Sequence, residues 1–136
     1  MKKEVEEAFA ALVTLAARGG RPTRHHVRPI LLEIEGGAEA REAAERIGRL
    51  PEAFREELAA AVRDEISMAA TEHVRSADPR YLALPAYDWE YTLEARRRLE
   101  ARLEASRSLG ILPDEAMLAA IQRADRTLAD HRQGSR

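Results

Sequence analysis

Apolar residues along this chain of 136 residues return every three or four positions, and no stretch alternates apolar with polar; the pattern predicts α-helices and no strand. Val5, Phe9, Leu12, Val13 and Ala16 share one face of a first helix, which Gly19 and Gly20 end. A second stripe, Val27, Ile30, Leu31 and Ile34, has Thr23 as a candidate N-cap and Gly36-Gly37 as its stop. Pro29 lacks an N–H and biases Arg28 away from α geometry, so this helix is expected to be short and to begin near residue 28. A weaker helical segment runs from Ala38 to Ile47. Pro51 then opens the longest one, with Phe54, Leu58, Ala61, Val62, Ile66, Ala69 and His73 inward, to about Ser76.

Beyond Asp78-Pro79 the apolar stretch from Tyr81 to Tyr87 has a proline before it and another, Pro85, within it, and is expected to be a covered strap, not a helix. Asp88 caps a helix reaching about Ser108, with Trp89, Leu93, Leu99 and Leu103 inward. Pro113-Asp114-Glu115 opens the last helix, which buries Met117, Leu118, Ile121, Ala124 and Leu128, and residues 131–136 are expected to fray. The expectation is an all-α, single-domain bundle of five or six helices. An apolar, proline-containing linker precedes a C-terminal helical hairpin, and the candidate subdivision is 1–76 and 88–131.

Composition sharpens this picture in two ways. Of the hydrophobic residues 26 are Ala, so Leu layers with Ala at close helix contacts are expected and a large aromatic-lined cavity is not. Charge is abundant but nearly balanced, net −2, which argues against a whole-molecule partner such as bulk nucleic acid or an anionic membrane. There is no Cys, no apolar run of membrane-spanning length and no signal-peptide pattern at the N-terminus, so a cytoplasmic protein is expected.

Charge is uneven in one place. Residues 18–28 hold Arg18, Arg21, Arg24, His25, His26 and Arg28 without one acid. Guanidinium forks suit phosphate or carboxylate, making these the candidate anion or nucleic-acid site. The competing reading pairs the arginines with Glu33, Glu35, Glu39, Glu42 and Glu45. The string Arg18-Gly-Gly-Arg-Pro-Thr-Arg-His-His-Val-Arg28 after an amphipathic helix resembles the DNA-binding segment of KfrA-type plasmid proteins. That resemblance covers about 30 residues and implies a helix-turn-helix with Thr23 opening its second helix; Pro29 departs from it.

The Arg-x4-His spacing of Arg126 and His131, repeated at Arg21 and His26, resembles the signature of HEPN ribonucleases. The resemblance implies an Arg and a His acting on an RNA phosphodiester. Thr127, after the Arg, departs from that family's usual pattern. His25, His26, His73 and His131 show no helical metal-ligand spacing, so no metal site and no cofactor are expected. His73 reads as a core-edge histidine near Glu72. Arg96, Arg97, Arg98, Arg102 and Arg107 alternate with glutamates and read as a solvated, ion-paired helix face.

The aromatics are also uneven. All three Tyr and the Trp fall within residues 81–91. Tyr81, Leu84, Tyr87, Trp89 and Tyr91 are therefore the candidate interface, since aromatics with a polar handle are enriched at protein contacts. Leu82 and Leu84 are expected to pack in cis, and Tyr87, Trp89 and Tyr91 to face a partner. The preferred expectation is a non-catalytic helical interaction or accessory module, with a protein partner or a second copy of itself. A nucleic-acid binder using residues 18–28 comes second and a ribonuclease third.

Overall fold

The structure, a computed structural model, describes residues 1–34 and 36–134. Among these there are seven helices and no strand. They are α1 (Lys3–Ala17), α2 (Arg24–Glu33), α3 (Ala38–Gly48), α4 (Glu52–Ser76), α5 (Pro79–Leu82), α6 (Trp89–Ser108) and α7 (Glu115–Gly134). The helix beyond the expected six is α5. A single turn forms between the prolines because Asp78 accepts the Arg80 N–H and Pro79 takes the first helical position, where its missing donor costs nothing.

Local chemistry accounts for the boundaries. Gly19 and Gly110 both take positive φ, 69° and 77°, which a side chain would disfavour. The N–H groups of Gly19 and Gly20 thereby reach the Ala16 and Leu15 carbonyls at the end of α1, and those of Gly110 and Ile111 reach Arg107 and Ser106 at the end of α6. Asp88 accepts the N–H groups of Glu90 and Tyr91 to start α6.

The start of α2 differs from expectation by four residues. It begins at Arg24, capped by Thr23, with Pro29 inside it. His26 takes the place of the usual Glu or Gln of a capping box: its Nδ1 accepts the Thr23 N–H at 2.9 Å. The bond that Pro29 forfeits would have gone to the carbonyl of His25, an exposed residue whose carbonyl water can serve.

The long helix α4 is the centre of the fold. It buries Phe54, Leu58, Ala61, Val62, Glu65, Ile66, Ala69, Ala70, His73 and Ser76, about one and a half residues per turn, because α2, α6 and α7 all pack on it. One core joins the apolar residues among these to Val5, Phe9 and Leu12 of α1, Val27, Ile30 and Leu31 of α2, and Leu99 and Leu103 of α6. Residues on both sides of the 81–87 segment therefore share one interior.

Val13, expected inside, is 58% exposed; Ala8, on the opposite flank of the stripe, is buried instead. Trp89, Leu93, Met117 and Leu118 are half-buried, and in α6 Thr92 and Ala95 complete the inner line. The C-terminal residues expected to fray are helical through Gly134, while Ser135 and Arg136 lie outside the described residues. No helix among the described residues is long and apolar enough to cross a membrane.

Candidate functional site

The strap after α5 folds back on its own chain. Leu82, Ala77, Ala124 and Leu128 form a second, small core against which Tyr81, Tyr87 and Trp89 pack. The rings meet edge to face: Tyr81 on Tyr87 at 5.3 Å, Tyr81 on Tyr91 at 6.2 Å, Tyr87 on Trp89 at 6.2 Å and Tyr87 on His131 at 5.6 Å. Arg132 lies 5.1 Å over the Trp89 ring, in cation–π range. Tyr91 is exposed and donates its hydroxyl to Glu72 at 3.2 Å.

Leu82 is buried as expected, but Leu84 is 53% exposed where packing in cis was expected. The turn that lowers Leu82 into the small core points the next residues outward. Ala83, Leu84, Pro85 and Ala86 are all exposed, four apolar residues in a row. Tyr87 and Trp89 are half-buried beside them.

Three of the four arginines of residues 18–28 find acids, though not those expected. Arg21 Nε lies 3.5 Å from Glu57, and both Arg24 and Arg28 reach Glu65, on α4. Arg18, the C-cap of α1, is exposed, as is His25; His26 is the cap of α2. Of the expected partners, Glu33 pairs with Lys2 and Glu42 with Arg46, while Glu35 lies outside the described residues.

Glu65 and Arg102 are site residues the sequence reading missed. The Glu65 side chain is 3% exposed, on the same α4 face as Leu58, Val62 and Ile66. Arg28 donates to it through Nε at 3.0 Å and Nη2 at 3.4 Å. Arg24 Nη1 at 3.7 Å and Arg102 Nε at 3.5 Å complete a ring of three guanidiniums about one carboxylate. Arg102 is 14% exposed, so it is not part of a solvated face, and its Nε is buried without a hydrogen-bond partner. Arg97 and Arg98 behave as expected: Arg97 pairs with Glu94, and Arg98 with Glu94 and Glu72. A register signal existed for Glu65, which stands three residues after Val62 and four before Ala69, inside the apolar stripe.

His73 is fully buried, and its partner is Asp125 of α7. Its Nε2 lies 2.8 Å from Asp125 Oδ1, and its Nδ1 is buried without a partner. Arg96 of α6 donates to both Asp125 oxygens, at 3.0 and 3.2 Å, and to Glu100 at 2.9 Å. Burial lowers the His73 pKa from its ordinary 6.5, outweighing Asp125, whose charge Arg96 already balances. The network ties α4, α6 and α7 together and leaves the imidazole closed to substrate.

Arg126 is exposed, whereas His131 is half-buried against Tyr87. Five residues apart on one helix, they point about 140° from each other. No group of three or more His, Asp or Glu residues that could hold a metal ion occurs among the described residues.

An open groove of about 660 Å³ runs between α1 and the α3–α4 turn, lined by Phe9, Ala10, Val13, Ala16, Leu50 and Pro51. The exposure of Val13 follows from it. Arg46 sits 5.5 Å over the Phe9 ring and donates to Glu6 at 2.7 and 2.9 Å; those bonds hold the Glu6 carboxyl below its usual range. Compared with protein families, curated proteins and solved structures, this all-α chain matches none of them.

Proposed function

We propose that this protein is a small, non-catalytic helical accessory module that acts by protein–protein contact through the strap after α5. The observation that carries the reading is the uninterrupted exposed apolar run Ala83-Leu84-Pro85-Ala86 on a segment otherwise locked to its own core. A run of that kind on a water-facing surface is unfavourable unless something covers it. The aromatic scaffold beneath supports the same reading, because it fixes the backbone of the run before any partner arrives and lowers the ordering cost of contact.

The partner we assign is a second copy of this chain. Exposed Arg80 flanks the run on one side and exposed Asp88 and Glu90 on the other. Two copies related by a twofold axis then set each cation against the other's acids while the apolar runs meet.

Leu84→Asp tests this directly. A twofold contact loses the leucine twice and gains two carboxylates facing an apolar surface, so self-association should weaken at least about a hundredfold. Light scattering after size exclusion should turn a dimer into a monomer while the far-ultraviolet circular dichroism stays unchanged. A wild-type protein that is monomeric at hundreds of micromolar would remove the self-association reading.

A further inference from the structure

We propose that Arg24, Arg28 and Arg102, held in place by Glu65, form a binding site for a phosphate group. Three guanidiniums against one carboxylate leave a local charge of +2 in a chain whose net charge is −2. A single bidentate arginine satisfies a buried carboxylate, and Arg28 supplies that pair. Arg24 and Arg102 add charge without adding a hydrogen bond to it. Among the described residues, Glu65 is the only acid within ion-pair reach of the three.

The arrangement concentrates unused donors on one side. Glu65 lies beneath, at 3% exposure, with its oxygens turned to Arg28, while Arg24 and Arg28 are 32% and 39% exposed and open to an arriving ligand. An anion therefore meets guanidinium edges and not the carboxylate. Arg24 is also the first residue of α2, whose first turn carries no acid, so the positive end of that helix adds to the field. A tetrahedral dianion with several acceptor oxygens matches a fork presented from two helices better than a monovalent carboxylate does. Arg102, 14% exposed and with its Nε turned to Glu65, adds its charge to the field beneath the two open arginines.

Titration calorimetry at low ionic strength, with pyrophosphate and separately with a short single-stranded oligodeoxynucleotide, tests the site. The variants are Arg24→Gln, which removes an ion pair that carries no hydrogen bond, and Arg97→Gln, an exposed arginine outside the cluster. Arg24→Gln should weaken binding at least about tenfold, and Arg97→Gln less than about twofold. Arg102→Lys keeps the charge and loses the planar fork, and should weaken binding as well if Arg24→Gln proves unstable. Pyrophosphate binding without gain from the oligonucleotide supports the site and assigns it to a free phosphorylated ligand. Tighter oligonucleotide binding, with the slope against log salt flattened by about one in Arg24→Gln, supports it and assigns it to the nucleic-acid backbone. Failure of both probes to bind, or equal losses in Arg24→Gln and Arg97→Gln, overturns the proposal.

Discussion

Glu65→Ala should lower the stability of the fold by about 3–5 kcal/mol, the range seen when one partner of a buried ion pair is removed. Arg24 and Arg28 are partly exposed and can turn to water when the carboxylate is gone. Arg102, at 14% exposure between α6 and α4, cannot, and it is left as a charge without a counter-ion. Its removal together with Glu65 should then recover part of the loss. In a double-mutant cycle, Glu65→Ala with Arg102→Leu should be less destabilised than the sum of the single variants, by roughly 1–3 kcal/mol. Urea unfolding of the four proteins measures this. A Glu65→Ala loss below about 1 kcal/mol, or strict additivity, would mean that the guanidiniums are not anchored by the carboxylate.

How far that cluster was legible follows from what each residue's neighbours in sequence can say. The helices themselves were legible because Leu, Ile and Ala recur with a period of 3.6 and because Gly19, Asp88, Gly110 and Pro51 mark their ends with ordinary cap chemistry. The start of α2 was not, because its cap acceptor is an imidazole, His26, where pattern rules look for Glu or Gln. Val13 fits the apolar stripe of α1 as well as Leu12 does. Only the tertiary arrangement, which puts α2 against one side of α1 and leaves the other side to an open groove, tells them apart.

Charged residues were harder to read than apolar ones. A glutamate in an apolar stripe is visible as an irregularity at Glu65, but its partners come from α2 and α6, 37 residues before and after it. Helical i,i+4 reasoning assigns Arg98 and Arg102 alike to the ion-paired face, and it is right for Arg98, which meets Glu94. Arg102 stands one residue before the buried Leu103, at the border of the face that α4 covers, so its stem is carried inward to Glu65. The strap shows the same limit. Its apolar character was evident, but α5 decides which leucine turns inward, and one helical turn between two prolines sends Leu82 into the small core and Leu84 out of it.

Acidification should destabilise this protein in a window set by His73. The imidazole is fully buried, its Nδ1 has no partner, and the one carboxylate it faces, Asp125, is shared with Arg96. Burial therefore depresses its folded pKa below the unfolded 6.5. The unfolded chain then binds the extra proton first as pH falls. Stability is fully present above pH 6.5 and is lost progressively from there down through the folded pKa. The Glu6 carboxyl, lowered from 4.5 by its bonds to Arg46, begins to contribute to acid sensitivity only below pH 4.5, so its onset lies below that of His73. Urea midpoints measured at intervals from about pH 7.5 to 5 should fall for the wild type and fall distinctly less for His73→Met, which keeps the volume and removes the buried titrating group. The variant also leaves Arg96 on Asp125, so the tie between α6 and α7 persists while α4 loses its part in it. A wild-type midpoint that stays level across that interval, or rises as pH falls, would mean that the folded protein takes up the proton at His73 as readily as the unfolded chain, and that Asp125 outweighs burial.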